Sequence, residues 1–243
     1  AVRCFGAFML CEFFTPEILF AVGQVIVATD HEGIASLVRA DGEGAIAVMT
    51  DSRLASGTDR IEAAVRALGF EADIIVNVQG DEPLIQPSAI NLAARLLQDC
   101  DRADMSTLAA PLPPSALLDI NKVKLVCREV LTSGNEQLSP RQLMALYFSR
   151  APIGVERSAL QQALRESARG DDSAGAVAAA TEHACELHVG VYGYRASTLR
   201  RFVQLPPSRL ERLEKLEQMR AVEAGMHIAV GRIQCAPHNV DTE

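Results

Sequence analysis

The stretch DIIVNVQGDEPLI, residues 73–85, decides the fold. Its aliphatic run Ile74, Ile75, Val76 and Val78 stops abruptly in Gln79, Gly80, Asp81, Glu82 and Pro83. A short aliphatic run bounded by turn residues has the signature of a buried strand. Gly80 permits a tight turn and Pro83 cannot extend the strand, so the chain is expected to leave the sheet at the acidic pair.

Outward from this run the same rhythm repeats. QVIVATD (24–30) reads as a second strand, and between the two DRIEAAVRALGF (59–70) places Ile61, Ala64, Val65 and Leu68 on one helical face and stops at Gly69. A helix of that kind is a crossover between parallel strands. PSAINLAARLLQD (87–99) predicts a further helix, and MSTLAAPL (105–112), NKVKLVCREV (121–130) and HIAVGRIQ (227–234) predict strands. The class is α/β, doubly wound: a mixed, mostly parallel sheet with helices on both faces. The whole of residues 1–243 is expected to form a single domain.

In ELHVGVYGYRA (186–196), period two puts Glu186, His188, Tyr192 and Tyr194 on one face and Leu187, Val189 and Val191 on the other, predicting a strand with one core face and one polar, aromatic face. PPSRLERLEKLEQMRAVEAG (206–225) predicts one helix opened by Ser208 and Glu211 in capping-box spacing and closed at Gly225, with Leu210, Leu213 and Leu216 as its buried stripe. ARGDDSAGAVAAAT (168–181) predicts a loop after a short helix, ALQQALRES (159–167).

Composition excludes some functions. With 31 acidic against 23 basic residues and a net charge of −8, the chain offers no broad basic surface for nucleic acid. Six scattered cysteines form no Cys-x-x-Cys pair, which argues against a zinc ribbon and for a reduced, cytoplasmic setting. The apolar opening is interrupted by Glu12, Pro16 and Glu17 short of a membrane span. Neither a dinucleotide fingerprint nor a P-loop is present.

Loops at the carboxyl ends of parallel strands line the ligand crevice, which places Thr29, Asp30 and Gln79–Glu82 in the candidate site. Asp81 suits a hard cation such as Mg²⁺, with Asp241 as a second carboxylate after an aliphatic strand; a solvated turn accounts for Asp81 equally well, and position alone favours a frayed terminus for Asp241. In SGTDR (56–60) small residues can bring backbone amides to a nucleotide, while Thr58 or Asp59 can simply cap the helix. His183, Glu186 and His188 do not form a metal site on a strand, because His183 faces away from the other two.

Taken in order, VIVATDHEGIA, SGTDRI, IIVNVQGDEPLI, NKVKLV, ALYFSRAPI, HVGVYGYRASTLRRFV, LERLEKLEQMR and NVDT resemble the 3-deoxy-manno-octulosonate (KDO) cytidylyltransferases from about Gln24 to Thr242. The resemblance implies a Rossmann-like nucleotidyltransferase that joins CTP and KDO into CMP-KDO for lipopolysaccharide synthesis, with Mg²⁺ held by Asp81 and Asp241. It implies nucleotide contacts at Ser56, Gly57 and Thr58, and sugar contacts at Gln79, Arg150, His188, Tyr192, Glu217 and Gln218. It also implies a homodimer, with residues 182–230 on the sugar and dimerisation side. Residues 1–20 do not match the family's triphosphate-gripping loop, so impaired catalysis is expected. An inactive homologue serving as a binding module, and a cytidylyltransferase for an amino analogue of KDO, remain alternatives.

Overall fold

A computed structural model describes residues 2–6, 24–41, 44–69, 72–80, 82, 84–131, 141–168 and 184–237, with backbone alone at 2–6, 131, 141 and 168. The loop expected over 168–181 lies outside the described residues beyond Ala168. The chain divides into two compact units, one of residues 1–108, 190–206 and 237–243, the other of residues 109–189 and 207–236.

The first unit carries the expected strand–helix alternation. Strand β1 (Val2–Gly6) lies parallel between β2 (Val25–Thr29) and β4 (Ile74–Val78), and β2 pairs in parallel with β3 (Ile46–Met49). Every residue of β2 and β4 is buried, as interior strands of a covered sheet require. Helices α1 (Glu32–Asp41), α2 (Gly57–Leu68) and α3 (Pro87–Gln98) make the crossovers. Gly69 ends α2 in the left-handed conformation, φ 59°, as its position after the last apolar residue predicted. Pro87 starts α3 at a position where its missing N–H breaks no helical bond. Strand β1 has no counterpart in the sequence reading.

Strands β5 (Met105–Ala110) and β8 (Cys185–Arg195) each contribute to both units. In the first unit β8 runs antiparallel to β4, Ile75 opposite Tyr194 and Asn77 opposite Tyr192. Here the expected two-faced pattern fails: residues 191–194 are all buried. Helix α3 covers the glycine face so closely that a Cβ on Gly193 would stand 3.0 Å from the Ala93 carbonyl and 2.3 Å from Ser106 Oγ. On the other face the Tyr192 and Tyr194 rings lie 6.2 Å apart, and Tyr194 meets Phe202 of α5 (Ala196–Phe202) at 6.1 Å. A strand covered on both sides buries its aromatics too.

The second unit is antiparallel. Strand β6 (Lys124–Leu131) pairs with β7 (Arg141–Ser149) and with the first residues of β8, and β7 pairs with β9 (Ile228–Arg232). Helix α4 (Arg157–Ala168) matches the short helix expected there. The single helix expected over 208–225 is two, α6 (Arg209–Glu214) and α7 (Gln218–Glu223). The Ser208–Glu211 capping box forms, but Lys215 adopts φ 56° and ends the first helix. That break rotates the second helix out of phase. Leu213, before the break, is 67% exposed, whereas Leu216, after it, is buried, and so are Gln218, Met219, Arg220 and Ala221 in the second helix.

Candidate active site

In the first unit, the carboxyl ends of β2 and β3 and the start of α2 are knitted by short polar contacts. Thr50 donates its N–H and its hydroxyl to the Thr29 carbonyl at 2.9 and 3.1 Å, and His31 N–H donates to Thr29 Oγ1 at 3.1 Å. Arg60 reaches back from α2 to Thr50 Oγ1 at 2.6 Å and to Asp30 Oδ2 at 2.9 Å. Asp30 therefore has its counter-charge within the protein.

Ser56, rather than Thr58 or Asp59, caps α2. Its Oγ accepts from Asp59 N–H at 3.2 Å and donates to Asp59 Oδ2 at 2.8 Å, and its extended backbone suits the capping position. Thr58 is buried and Gly57 is exposed. Of the three expected nucleotide residues, two hydroxyls are thus committed inside the protein. What the segment presents outward is backbone at a helix N-terminus, where first-turn amides lack intrahelical partners and attract anions.

The acidic turn after β4 packs on β8. Glu82 is buried, and its Oε1 accepts Gly190 N–H at 3.3 Å. A Cβ on Gly190 would lie 3.2 Å from that oxygen and 3.3 Å from Gln79 Nε2, so a side chain at 190 would require both neighbours to give by a few tenths of an ångström. Gln79 itself is exposed, and its carbonyl accepts Glu82 N–H at 3.1 Å to close the turn. The structure thereby brings Gln79 to the strand that carries Tyr192, two residues beyond Gly190. Tyr192 is buried, its ring against Tyr194. Asp81, Asp241 and His183 lie outside the described residues. Among the described residues no three His, Cys, Asp or Glu gather as a metal site.

In the second unit the His188 ring stands edge-on to Phe148, ring centroids 5.1 Å apart, and its backbone N–H donates to the Val123 carbonyl at 2.9 Å. Desolvation of the half-buried imidazole pushes its pKa down to about 3, so the ring is neutral at physiological pH. Glu186, on the same strand, accepts Arg232 Nε at 2.7 Å. Arg150 follows β7; its Nε donates to the Glu214 carbonyl at 3.1 Å and its Nη1 to the Ile120 carbonyl at 3.2 Å. Gln218 is buried at the start of α7, and Glu217 is the residue before it. Both follow the Lys215 break, and Glu214 lies immediately before it.

Two residues of this unit escaped the sequence reading. Lys124 is 0% exposed and donates from Nζ to the carbonyls of Asp119, Lys122 and Arg150 at 2.5, 2.8 and 2.7 Å. Burial pushes its ammonium below the usual lysine range. Its only sequence signal is a cation inside the strand pattern of 121–130. Glu214 collects the hydroxyls of Ser149 and Tyr147 and the N–H of Arg150. In the charge-rich run 209–217 nothing marks it out from a solvated helix face.

The cytidylyltransferase family matches residues 17–228. A 3-deoxy-manno-octulosonate cytidylyltransferase of Bdellovibrio bacteriovorus is 37% identical over 91% of this chain and 76% of that protein. One of Syntrophobacter fumaroxidans is 42% identical over 90% of this chain and 75% of its own. Among solved structures, a CMP:2-keto-3-deoxy-manno-octonic acid synthetase complexed with CTP superposes with a TM-score of 0.73 at 28% identity, covering 99% of this chain and 93% of that one. The ordered motifs, the Rossmann-like α/β fold and these relationships agree: the chain belongs to the 3-deoxy-manno-octulosonate cytidylyltransferase family.

Proposed function

We propose that this protein transfers the cytidylyl group of CTP to the sugar acid KDO, giving CMP-KDO and pyrophosphate for lipopolysaccharide synthesis. The observation that carries the reading is identity of 37–42% over nine tenths of the chain with KDO cytidylyltransferases. On the same resemblance it works as a cytoplasmic homodimer. Among the described residues no helix is long and apolar enough to cross a membrane.

Nucleotidyltransferases as a class use a divalent metal, and the metal here is Mg²⁺, held by Asp81 and Asp241. The donor set fits a hard cation that takes one or two carboxylates and leaves other positions to phosphate and water. Glu82 is turned into Gly190, which leaves Asp81 as the carboxylate of the turn for that role. Bound Mg²⁺ supplies neutralisation of the phosphate oxygens.

The protein's own residues position the two substrates. Backbone amides at Gly57 and Thr58 suit the nucleotide better than the Ser56 hydroxyl, which is engaged in capping. Gln79, Tyr192, Glu217 and Gln218 serve the sugar hydroxyls. His188, neutral at physiological pH, can exchange hydrogen bonds with the sugar but supplies no positive charge for its carboxylate. That charge falls to Arg150, through the part of its guanidinium beyond Nε and Nη1. The anomeric hydroxyl attacks the α-phosphorus of CTP and pyrophosphate leaves, a reaction that depends chiefly on in-line alignment.

The test is release of pyrophosphate from CTP with KDO, and with its amino analogue, in the presence of Mg²⁺. Turnover with KDO, lost in Asp81→Asn at unchanged far-ultraviolet circular dichroism, is the expected result. Binding of KDO without turnover would overturn the catalytic reading in favour of a binding module.

A further inference from the structure

A single carboxylate joins the two segments that would hold the sugar acid. Glu214 Oε1 and Oε2 lie 3.0 and 3.2 Å from Ser149 Oγ, Oε1 accepts from Tyr147 OH at 3.3 Å, and Oε2 accepts Arg150 N–H at 3.1 Å. The carbonyl of the same residue takes Arg150 Nε at 3.1 Å. The next residue is Lys215, the one non-glycine residue with positive φ among those described, and the turn it makes leads directly to Glu217 and Gln218. From the other side, Lys124 fixes the Arg150 carbonyl at 2.7 Å. Hydrogen bonds to a carboxylate are stronger than neutral ones, and a left-handed lysine persists only where its surroundings hold it.

We propose that Glu214 is the positioning residue for the sugar-acid half of the reaction, holding Arg150 and the Glu217–Gln218 turn in one fixed relation. The proposal rests on the reading of Arg150, Glu217 and Gln218 as sugar contacts. The Glu214 carboxylate is engaged with Tyr147, Ser149 and Arg150, which assigns it a positioning role. A gripping set held in this way meets the sugar acid without first ordering two loops. Burial, followed by the neighbouring Glu214 carboxylate, raises the Tyr147 phenol above the ordinary tyrosine range.

Calorimetric titration of KDO and, separately, of CTP without divalent metal tests the proposal on the native chain, Glu214→Ala, Glu214→Gln and Gln218→Ala. In Glu214→Ala, affinity for KDO is expected to fall about tenfold, equivalent to about 1.4 kcal/mol, with CTP affinity unchanged. Glu214→Gln should recover most of it, because its amide oxygen still accepts Arg150 N–H and its NH₂ can donate to the Ser149 and Tyr147 hydroxyls. A purely structural role would lower the binding stoichiometry and leave both affinities intact. That result, or an equal loss for both ligands, overturns the proposal. If Gln218→Ala weakens KDO and Glu214→Ala does not, the positioning role falls while the sugar-side reading stands. If Gln218→Ala leaves KDO affinity untouched, the sugar-side reading falls and takes this proposal with it. Should Glu214→Ala not fold, Glu214→Asp decides: its shorter reach weakens KDO alone if the proposal holds, and equal affinity sinks it.

Discussion

The two units keep their polar groups in order by different means. In the first, the parallel-strand ends are tied by local, neutral links: Ser56 caps the helix that begins one residue later, and Thr50 bonds the adjacent strand end at Thr29. Distant charged contacts are fewer there: Glu82 accepts Gly190 N–H, and Arg195 donates to the carbonyls of Leu97, Cys100 and Ala103. In the second, buried or half-buried charges reach across long stretches of chain. Lys124 gathers carbonyls from 119, 122 and 150, Glu214 binds β7 some 64 residues away, and Arg220 clasps Glu211 at 2.6 and 2.9 Å between two short helices. Parallel crossovers gather the carboxyl ends of the strands on one side of the sheet, where nearby backbone can satisfy them. An antiparallel sheet edged by broken helices leaves carbonyls exposed to the interior, and a buried ammonium with three acceptors is one way to satisfy them.

That contrast breaks most sharply at Lys124. Lys124→Met removes the donor for three carbonyls at once and is expected to cost about 3–5 kcal/mol. Amide exchange should accelerate over residues 119–131 and 141–150; unchanged exchange there would show that water or backbone replaces the ammonium. The first unit should instead fail by crowding. Gly193→Ala drives a methyl into Ser106 Oγ and the Ala93 carbonyl, at an expected cost of about 2 kcal/mol seen in the urea midpoint. A near-neutral result would mean that α3 can withdraw from the sheet.

Acid sharpens the comparison further. The folded-state pKa of His188, about 3, lies below the ordinary histidine value of 6.5, so the unfolded chain binds a proton that the folded chain refuses. Stability from this group is complete above pH 6.5 and is lost as the pH falls from 6.5 toward 3, at about 1.4 kcal/mol per pH unit between the two values. His188→Gln should flatten the pH dependence of the urea midpoint in that window. If native and variant slopes coincide, the imidazole is not enclosed.

The first unit was the more legible in sequence for the reason just given. Strand β4 announces itself by Ile74–Val78 and its turn, and α2 by its apolar spacing and the Gly69 stop, because the forces that shape them act within one element. The capping residue was misplaced by two or three positions, since Ser56, Thr58 and Asp59 carry equivalent oxygens and only the backbone conformation selects among them. In the second unit, the leucine spacing of 210, 213 and 216 predicted an unbroken helix because the left-handed turn at Lys215 has no local cause; Glu214 is anchored to a strand far away in sequence. Lys124 was invisible for the same reason. Tyr192 and Tyr194 looked like a polar face until Phe202 covered it. For Asp81 and Asp241, local chemistry left two readings open, and family resemblance supplied the preference.

Gly190 has a consequence for anyone reshaping the sugar specificity of this protein. The side-chain ends of Gln79 and Glu82 stand 3.2–3.3 Å from where a β-carbon at 190 would sit, so any substitution there requires those two ends to give by a few tenths of an ångström. Shortening Gln79 would open room that a new side chain at 190 could fill. The two positions behave as a lock with two tumblers, best varied together in one library.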